Sequence, residues 1–247
     1  LPRPPRFGFR GGRVTTTVDA GRARAWRKAG ARQSCTLFMT LLAGFHSLLH
    51  RLTGQDRVMC GTPSAPPPVT PANDLFGYRI NVLPIQTRVA PDTRFCDLLQ
   101  QLKQTVVEAT QHQDYFFGRL WKKLGQARDL SHPPFYSVLF NIDREWRQPE
   151  FDALQVSGST LASRNPRRTT QADLGINILE RTDGTLFVEL DYNADLLLPE
   201  TADRWLGHYL TLLDGALSGP EIEVRSLPLL STTEIHQLLV GWNGTDH

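Results

Sequence analysis

Histidine, cysteine and glycine patterns in this 247-residue chain do not predict a self-contained catalytic site. His46 and His50 stand four residues apart on a predicted helix, the spacing of a metal-binding pair, but no acidic residue or third ligand accompanies them. They therefore predict a helix face and no metal site. Cys35, Cys60 and Cys96 are too few and too widely spaced for a disulfide scaffold, so each is expected to be a small buried hydrophobe in a reducing cytoplasm. The chain has no glycine-rich phosphate loop, no Gly-x-Ser-x-Gly elbow and no Cys-x-x-Cys pair.

Polar residues near the ends of predicted elements are better candidates for positioning than for catalysis. Asn81 precedes a Leu-Pro strand edge, where its amide can either bridge backbone groups or face a ligand amide. His112, Gln113 and Asp114 stand at the end of a predicted helix. The helix dipole favours a histidine there, and Asp114 can cap the helix that follows. This junction is expected to be structural.

Two further segments carry polar side chains at predicted loop boundaries. Arg128 and Asp129 are expected to form a local ion pair, worth about 0–1 kcal/mol if exposed. Asn141 lies near the end of a predicted strand, and the stretch from Arg144 to Thr170 is polar. Neither segment by itself predicts a reaction.

Three motifs stand in order along the chain. They read Phe76-Gly77-Tyr78-Arg79-Ile80-Asn81-Val82-Leu83-Pro84, His112-Gln113-Asp114-Tyr115-Phe116-Phe117 and Arg128-Asp129-Leu130-Ser131-His132-Pro133-Pro134-Phe135. Together they resemble the late motifs of the condensation domains of non-ribosomal peptide synthetases. Such domains normally carry a His-His-x-x-x-Asp-Gly motif upstream, and no two histidines are adjacent in this chain. The chain therefore resembles the C-terminal lobe of a two-lobed amide-forming acyltransferase, without the lobe that carries the catalytic histidine.

The resemblance extends over nearly the whole chain. Residues 37–56 resemble the first large helix of that lobe, residues 61–63 the end of the next strand, and residues 230–245 the connector to an adenylation domain. The second motif usually reads Tyr-Pro-Phe-Glu, whereas this chain has Tyr115-Phe116-Phe117-Gly118. The third motif usually has Arg where this chain has His132.

The resemblance implies a fold and a chemistry. The expected fold is a chloramphenicol-acetyltransferase-like α/β lobe with a mixed, mostly antiparallel sheet flanked by helices, one half of a V-shaped domain around a tunnel. Donor and acceptor carrier proteins insert phosphopantetheine arms, so no cofactor is expected to bind the chain directly. The histidine of the N-terminal lobe orients or deprotonates the acceptor amine, which attacks the donor thioester in a water-excluding tunnel. The candidates for facing the tunnel or substrate are Gly77, Tyr78, Asn81 and Asn141.

The same resemblance gives an expected organisation. Residues 1–12 are predicted to be a linker from the missing N-terminal lobe, residues 13–230 the lobe, and residues 231–247 the start of a linker to an adenylation domain. The loops 63–73 and 144–170 are expected to cross to the partner lobe. The expected partners are the N-terminal lobe, the two carrier proteins and the adenylation domain. Alone, the lobe is expected to be inactive, and a non-catalytic platform for docking carrier proteins is the alternative.

Composition is typical of a soluble globular protein, with 40% hydrophobic and 21% charged residues and no apolar run long enough to cross a membrane. The net charge of +2 hides a basic N-terminal region in which Asp19 is the one acidic residue up to Leu49. One explanation of this region is a solvated linker and helix face. The other is a basic module that binds nucleic acid, which is the second alternative function.

Hydrophobic periodicity predicts helices at 20–29, 34–52, 93–112, 115–124, 199–217 and 233–240. Predicted strands are 14–18, 57–61, 80–89, 135–142, 154–160, 174–180 and 186–192. Asp19 and Ser231 are candidate helix N-caps, and Gly30 and Gly54 are candidate helix ends. Asp183-Gly184 is a hairpin signal that makes the last two strands antiparallel neighbours, which favours a mixed sheet with helices packed on it.

Overall fold

The computed structural model describes residues 1–64, 80–125, 129–133, 136–145 and 169–241. In chain order the elements are β1 (Gly11–Val18), α1 (Ala20–Arg32), α2 (Leu37–Thr53), β2 (Arg57–Ser64), β3 (Asn81–Arg88), α3 (Phe95–Gln111), α4 (Phe117–Leu124), β4 (Val138–Arg144), β5 (Leu174–Glu180), β6 (Leu186–Asn193), α5 (Pro199–Ser218) and α6 (Thr232–His236). A short 3-10 turn at Val224–Ser226 precedes α6, and a π-helical turn at Gln237–Gly241 follows it.

The strands form one mixed sheet in the order β1-β6-β5-β4-β2-β3. β6 is antiparallel to both β1 and β5, whereas β4 is parallel to β5 and to β2. The β5–β6 hairpin turns at the predicted Asp183-Gly184, where Gly184 has a φ of +83° and Asp183 Oδ1 accepts from the Thr185 amide at 2.8 Å. The predicted mixed α/β fold is confirmed.

The predicted helices are present with boundaries shifted by a few residues, and the shift at the end of α1 has a tertiary reason. Asp19 caps α1 as predicted, because its Oδ1 accepts from the Arg22 amide at 2.9 Å. Gly30 does not end α1, which continues to Arg32. A Cβ at position 30 would overlap Thr40 Oγ1, so this glycine permits a close approach to α2. Gly54, with a φ of +69°, ends α2 as predicted.

Several predicted strand boundaries also change, most clearly in β1 and β4. β1 begins at Gly11 rather than at residue 14, because Gly11 and Gly12 continue the ladder opposite Asn193 and Tyr192. A side chain at position 12 would overlap the Tyr192 ring, so glycine there keeps the strand close to β6. β4 begins three residues later than predicted and ends at Arg144. The predicted strand 154–160 and most of the predicted crossing loops lie outside the described residues.

Contacts divide the described residues into two compact units. The first comprises those within 1–24, 60–83 and 113–202, and the second those within 25–59, 84–112 and 203–241. The first unit contains β1, β4, β5, β6 and α4, and the second contains α2, α3 and most of α5. Within the described residues, no helix combines the length and apolarity needed to cross a bilayer.

The core of the second unit forms around α2. Leu41, Leu42, Phe45 and Leu48 are completely buried, and each such side chain contributes about 1.5–3 kcal/mol through burial. Tyr209 from α5 donates its hydroxyl to the Leu41 carbonyl at 3.0 Å and meets Phe45 edge to face. The hydroxyl is therefore satisfied inside an apolar core.

The three cysteines are buried and free, as the sequence predicts. Burial raises the thiol pKa of Cys35, Cys60 and Cys96. A thiol in that state is a poor nucleophile, because the thiolate is the reactive form.

Candidate functional site

An open cleft of about 440 Å³ lies in the first unit, within the size range of small-molecule sites. Strands β1, β4, β5 and β6 each contribute side chains to its lining. The charged and amide side chains among the lining residues are Arg13, Asn141, Asp143, Gln171, Asn177 and Asp191. The cleft therefore presents a polar surface that is formed by side chains from adjacent strands of the sheet.

Arg13 binds two carboxylates of β6 at one side of this cleft. Its Nε donates to Asp191 Oδ1 at 2.6 Å, its Nη2 to Asp191 Oδ2 at 3.0 Å, and its Nη1 to Glu189 Oε1 at 2.5 Å. The exposed fractions of the three side chains are only 10% for Arg13, 9% for Asp191 and 2% for Glu189. Burial alone would lower the pKa of Arg13, but the hydrogen bonds and charges of Asp191 and Glu189 outweigh it and raise that pKa.

Two asparagines extend this cluster across the sheet. Asn177 Nδ2 donates to Glu189 Oε2 at 3.0 Å, and Asn141 Nδ2 donates to Asn177 Oδ1 at 2.9 Å. Asn141 Nδ2 also donates to Asp143 Oδ2 at 2.7 Å. Asn141, Asn177 and Glu189 are register partners on β4, β5 and β6, so the pairing of the strands places them side by side. We call these six side chains the polar row: Arg13, Asp191, Glu189, Asn177, Asn141 and Asp143.

Asn81, at the start of β3, uses its amide to hold neighbouring backbone. Its Nδ2 donates to the carbonyls of Gln113 at 2.9 Å and Tyr115 at 3.0 Å. Its Oδ1 accepts from the amides of Val82 at 2.9 Å and Phe117 at 3.1 Å. Both donors and both acceptor positions of the side chain are thus occupied, and the residue is 6% exposed. This is the backbone-bridging arrangement that the sequence leaves open.

The junction between α3 and α4 differs from the prediction in one respect. His112 is the C-cap residue of α3, and Gln113 Oε1 accepts from Ser64 Oγ at 2.8 Å. Asp114 does not cap α4: the N-cap residue is Phe116, which makes no side-chain cap bond, and Asn81 accepts the first helical amide instead. The helix begins too late in the chain for Asp114 to occupy the cap position, so a side chain from β3 takes that role.

Asp129 organises the third motif. Its Oδ1 accepts from the amide and the hydroxyl of Ser131, at 2.8 and 2.7 Å, and its Oδ2 lies 2.8 Å from His132 Nδ1. The hydrogen bonds from Ser131 and His132 lower the pKa of Asp129 to about 2. The carboxylate therefore stays charged and fixes the turn. Arg128, its predicted ion-pair partner, lies outside the described residues, as do Gly77 and Tyr78.

The two changed positions of the second motif touch each other. A Cβ at Gly118 would lie 2.9 Å from Cε1 of the Phe116 ring, closer than real contacts allow. Both residues also line a small apolar pocket of about 120 Å³ beside Asn81. Phe116 is 57% exposed, so its ring lies at the surface of the protein.

The two helix histidines have separate structural partners. His46 is completely buried, and its Nδ1 lies 2.7 Å from Thr87 Oγ1. Burial lowers the pKa of His46 to about 3, so the ring is neutral. His50 Nδ1 lies 2.9 Å from the Gln55 carbonyl just after α2. Across the described ranges, no group of three or more histidine, cysteine or acidic side chains is placed to hold a metal ion.

Several N-terminal arginines pair with carboxylates of the first unit. Arg3 binds Asp173 at 2.7 and 3.1 Å, and Arg10 binds Asp195 at 2.9 Å. The Arg13 side chain is only 10% exposed and binds two carboxylates, so the prediction of a solvated linker and helix face is wrong at that position. These pairings neutralise part of the basic charge that a nucleic-acid site would require.

Sequence reasoning missed most of the polar row. The available signal was Glu189 and Asp191 in the otherwise apolar strand Leu186–Asn193, because acids two residues apart share one face of a strand. Buried acids require partners. The partner Arg13 is 178 positions away from Asp191, and that distance is closed only by the pairing of β1 with β6.

The chain is similar to known synthetases over nearly its whole length. A family model described as condensation domain matches residues 1–239. One of the proteins that form the linear gramicidin synthase of Brevibacillus parabrevis is 32% identical over 245 residues, which are 99% of this chain and 3% of that protein. Tyrocidine synthase 2 of the same organism is 31% identical over 246 residues, 99% of this chain and 7% of that protein. The chain thus spans less than a tenth of these two curated relatives.

Solved structures show the same fold. A four-domain nonribosomal peptide synthetase bound to AMP and glycine has a TM-score of 0.82 at 20% identity, over 95% of this chain and 19% of that chain. The X-domain from teicoplanin biosynthesis has a TM-score of 0.82 at 23% identity, over 93% of this chain and 52% of that chain.

Proposed function

This chain belongs to the family of condensation domains, and on that premise we propose that it is the C-terminal lobe of a domain that forms amide bonds. In the reaction, the amine of an acceptor aminoacyl thioester attacks the carbonyl carbon of a donor acyl thioester, each carried on a protein. The C–N bond forms, the donor C–S bond breaks, and the thiol of the donor carrier is the leaving group. The proposal rests on the share of single-domain condensation structures that this chain covers. The likeness to the first condensation domain of the calcium-dependent antibiotic synthetase covers 93% of this chain but 51% of that chain, as expected for one lobe of two.

The two lobes have different roles in this proposal. No His-His pair occurs in the 247 residues, so the catalytic histidine comes from the other lobe and this chain is inactive alone. This chain supplies the tunnel wall and docking surface, with Asn141 and the other cleft-lining side chains of the polar row facing the reacting groups. Asn81 acts indirectly, because it holds the turn between α3 and α4.

The partners are those of a carrier-based synthetase. Donor and acceptor carrier proteins deliver their phosphopantetheine arms, and no cofactor binds the lobe directly. The adjacent adenylation domain follows the segment after Ser231. The loops 63–73 and 144–170 reach the partner lobe. Gly77 and Tyr78 are the proposed tunnel-facing residues of the first motif.

The test uses the gene that encodes this chain. The chain is produced with and without the roughly 200 residues upstream, a span set by ordinary domain size, and mixed with donor- and acceptor-loaded carrier proteins. Mass spectrometry of the acceptor carrier should show the condensed product only when the upstream residues include the histidine motif. Product from the chain alone contradicts the proposal.

A second candidate is a docking platform without turnover. The observation in its favour is the TM-score of 0.81, at 23% identity, to an X-domain whose structure was solved in complex with OxyB, a second protein. That likeness shows the fold alone, but it indicates that this fold can bind a protein. Carrier binding without product, even with the upstream residues present, distinguishes the platform from the enzyme.

A further inference from the structure

Carboxylates fix the orientation of both amides in the polar row. Asp143 and Glu189 can only accept hydrogen bonds, so the NH2 group of Asn141 must point to Asp143 and that of Asn177 to Glu189. With Asn177 turned this way, its oxygen faces Asn141 and accepts the second N–H of that residue. The two amides therefore have one assignment that satisfies all three bonds.

This assignment leaves one acceptor and one donor for a ligand. Among the described residues, Asn141 Oδ1 accepts no hydrogen bond, and Asn177 Nδ2 uses one of its two N–H groups. Both residues line the 440 Å³ cleft and are only partly exposed. As register partners on adjacent strands, their Cα atoms are about 4.8 Å apart.

A hydrogen-bond acceptor next to a hydrogen-bond donor is complementary to an extended chain that contains amide groups. In such a chain an N–H and a C=O face the same side, and paired β-strands use this arrangement to exchange two hydrogen bonds. The carboxylate of Glu189 does not compete for the ligand, because Arg13 occupies its Oε1 and Asn177 its Oε2. Its role is to hold Asn177 in position.

We infer that Asn141 and Asn177 bind an extended amide-bearing chain in the cleft, with Asn141 Oδ1 accepting an N–H and Asn177 Nδ2 donating to a C=O. The inference rests on the proposed function, in which two such chains occur: a growing peptidyl donor and the phosphopantetheine arm. Asp143 and Glu189 are positioning residues, which act by fixing the two amides.

The kinetic test uses the complete domain that contains this chain. Four donors combine a dipeptidyl or a simple acyl group with either a carrier-bound phosphopantetheine arm or an ethanethiol thioester, which lacks an amide. Asn141→Leu removes the free acceptor together with the two hydrogen bonds that Asn141 donates to Asp143 and Asn177, and Asn141→Ser tests the position with a smaller polar side chain. Gln86→Leu removes an exposed amide of β3 that is not part of the cleft lining and serves as the control.

The donors identify which chain is bound. For donors whose amide binds Asn141 and Asn177, the loss of one hydrogen bond should raise KM about tenfold and change kcat less. A loss confined to dipeptidyl donors assigns the site to the peptide, and a loss confined to carrier-bound donors assigns it to the arm. Unchanged KM for all four donors in Asn141→Leu overturns the inference.

A binding test does not depend on turnover and so separates this inference from the proposed function. The side-chain NH2 signals of Asn177 are followed by ¹⁵N NMR during titration with pantetheine and with N-acetylglycine N-methylamide. The methyl ester of N-acetylglycine, which lacks the second N–H, is the control ligand. Shifts with the amides that weaken in Asn141→Leu support the inference even if no product forms. Absence of any shift with both amides contradicts it.

Discussion

Arg13 and Asp191 face each other across β1 and β6 and share two parallel hydrogen bonds of 2.6 and 3.0 Å. Both side chains are about nine-tenths buried, and Glu189 adds a second carboxylate on the same guanidinium. A planar guanidinium is suited to this task because its donors form a rigid fork. The pair therefore fixes the register of the edge strand beside the cleft.

Replacing Arg13 should be costly. Arg13→Met leaves the carboxylates of Asp191 and Glu189 buried without this cation, which should lower the free energy of unfolding by about 3–5 kcal/mol. Urea denaturation of the complete domain measures this loss. The matched control is Arg10→Met, whose ion pair with Asp195 is far more exposed and should cost no more than about 1 kcal/mol. Equal effects of the two substitutions would contradict the assigned role.

His46 should make stability depend on pH. Its pKa is about 3 in the folded chain against 6.5 ordinarily, so below pH 6.5 the unfolded chain binds a proton that the folded chain does not. Stability should therefore fall as the pH is lowered, by about 2 kcal/mol between pH 7 and pH 5.

The measurement is the urea midpoint at several pH values for the wild type, His46→Gln and His50→Gln. The first substitution should remove this part of the pH dependence. The second should retain it, because His50 lies at the helix end beside the Gln55 carbonyl. An unchanged slope in His46→Gln would refute the explanation.

Asn81 should matter for stability more than its small size suggests. Asn81→Leu leaves two carbonyls and two amides without their partner, so we expect a loss of at least about 2 kcal/mol in the free energy of unfolding. Thermal and urea unfolding both report this loss. Gln86→Leu, on the exposed face of the same strand, should stay within about 0.5 kcal/mol. A loss as small as that of the control would show that the four bonds are not maintained in solution.

Two helix glycines should respond to alanine in opposite directions. Gly207→Ala in α5 has open space around the new Cβ and should stabilise by about 1 kcal/mol, the usual gain inside a helix. Gly30→Ala should destabilise by about 1–3 kcal/mol, because the new Cβ overlaps Thr40. Unfolding midpoints compare the two. Adding Thr40→Ala to Gly30→Ala should restore stability, and failure of that rescue would point to another cause.

The long helices could be predicted from the sequence because local information determines them. α2 and α5 have a periodic apolar face, and the predicted caps Asp19 and Ser231 accept hydrogen bonds from the amides of Arg22 in α1 and Glu234 in α6. Each of these signals spans only a few residues. The hairpin at Gly184 is equally local.

Errors arose where a distant residue decides the outcome. Gly30 has the sequence context of a helix end, but Thr40 on the next helix explains the glycine. Asp114 has the position of a cap, but Asn81 reaches α4 first. Arg13 belongs to a basic segment that composition assigns to solvent, and only the pairing of β1 with β6 brings it to its two acids. The candidate Asn141 was found, but its partner Asn177 was not.

The contact between Phe116 and Gly118 couples two positions of the second motif. A Cβ at position 118 would lie 2.9 Å from Cε1 of the Phe116 ring. A larger residue at position 118 must therefore displace this exposed ring, whereas replacing both residues together avoids the conflict. The effects of substitutions at the two positions should therefore be non-additive.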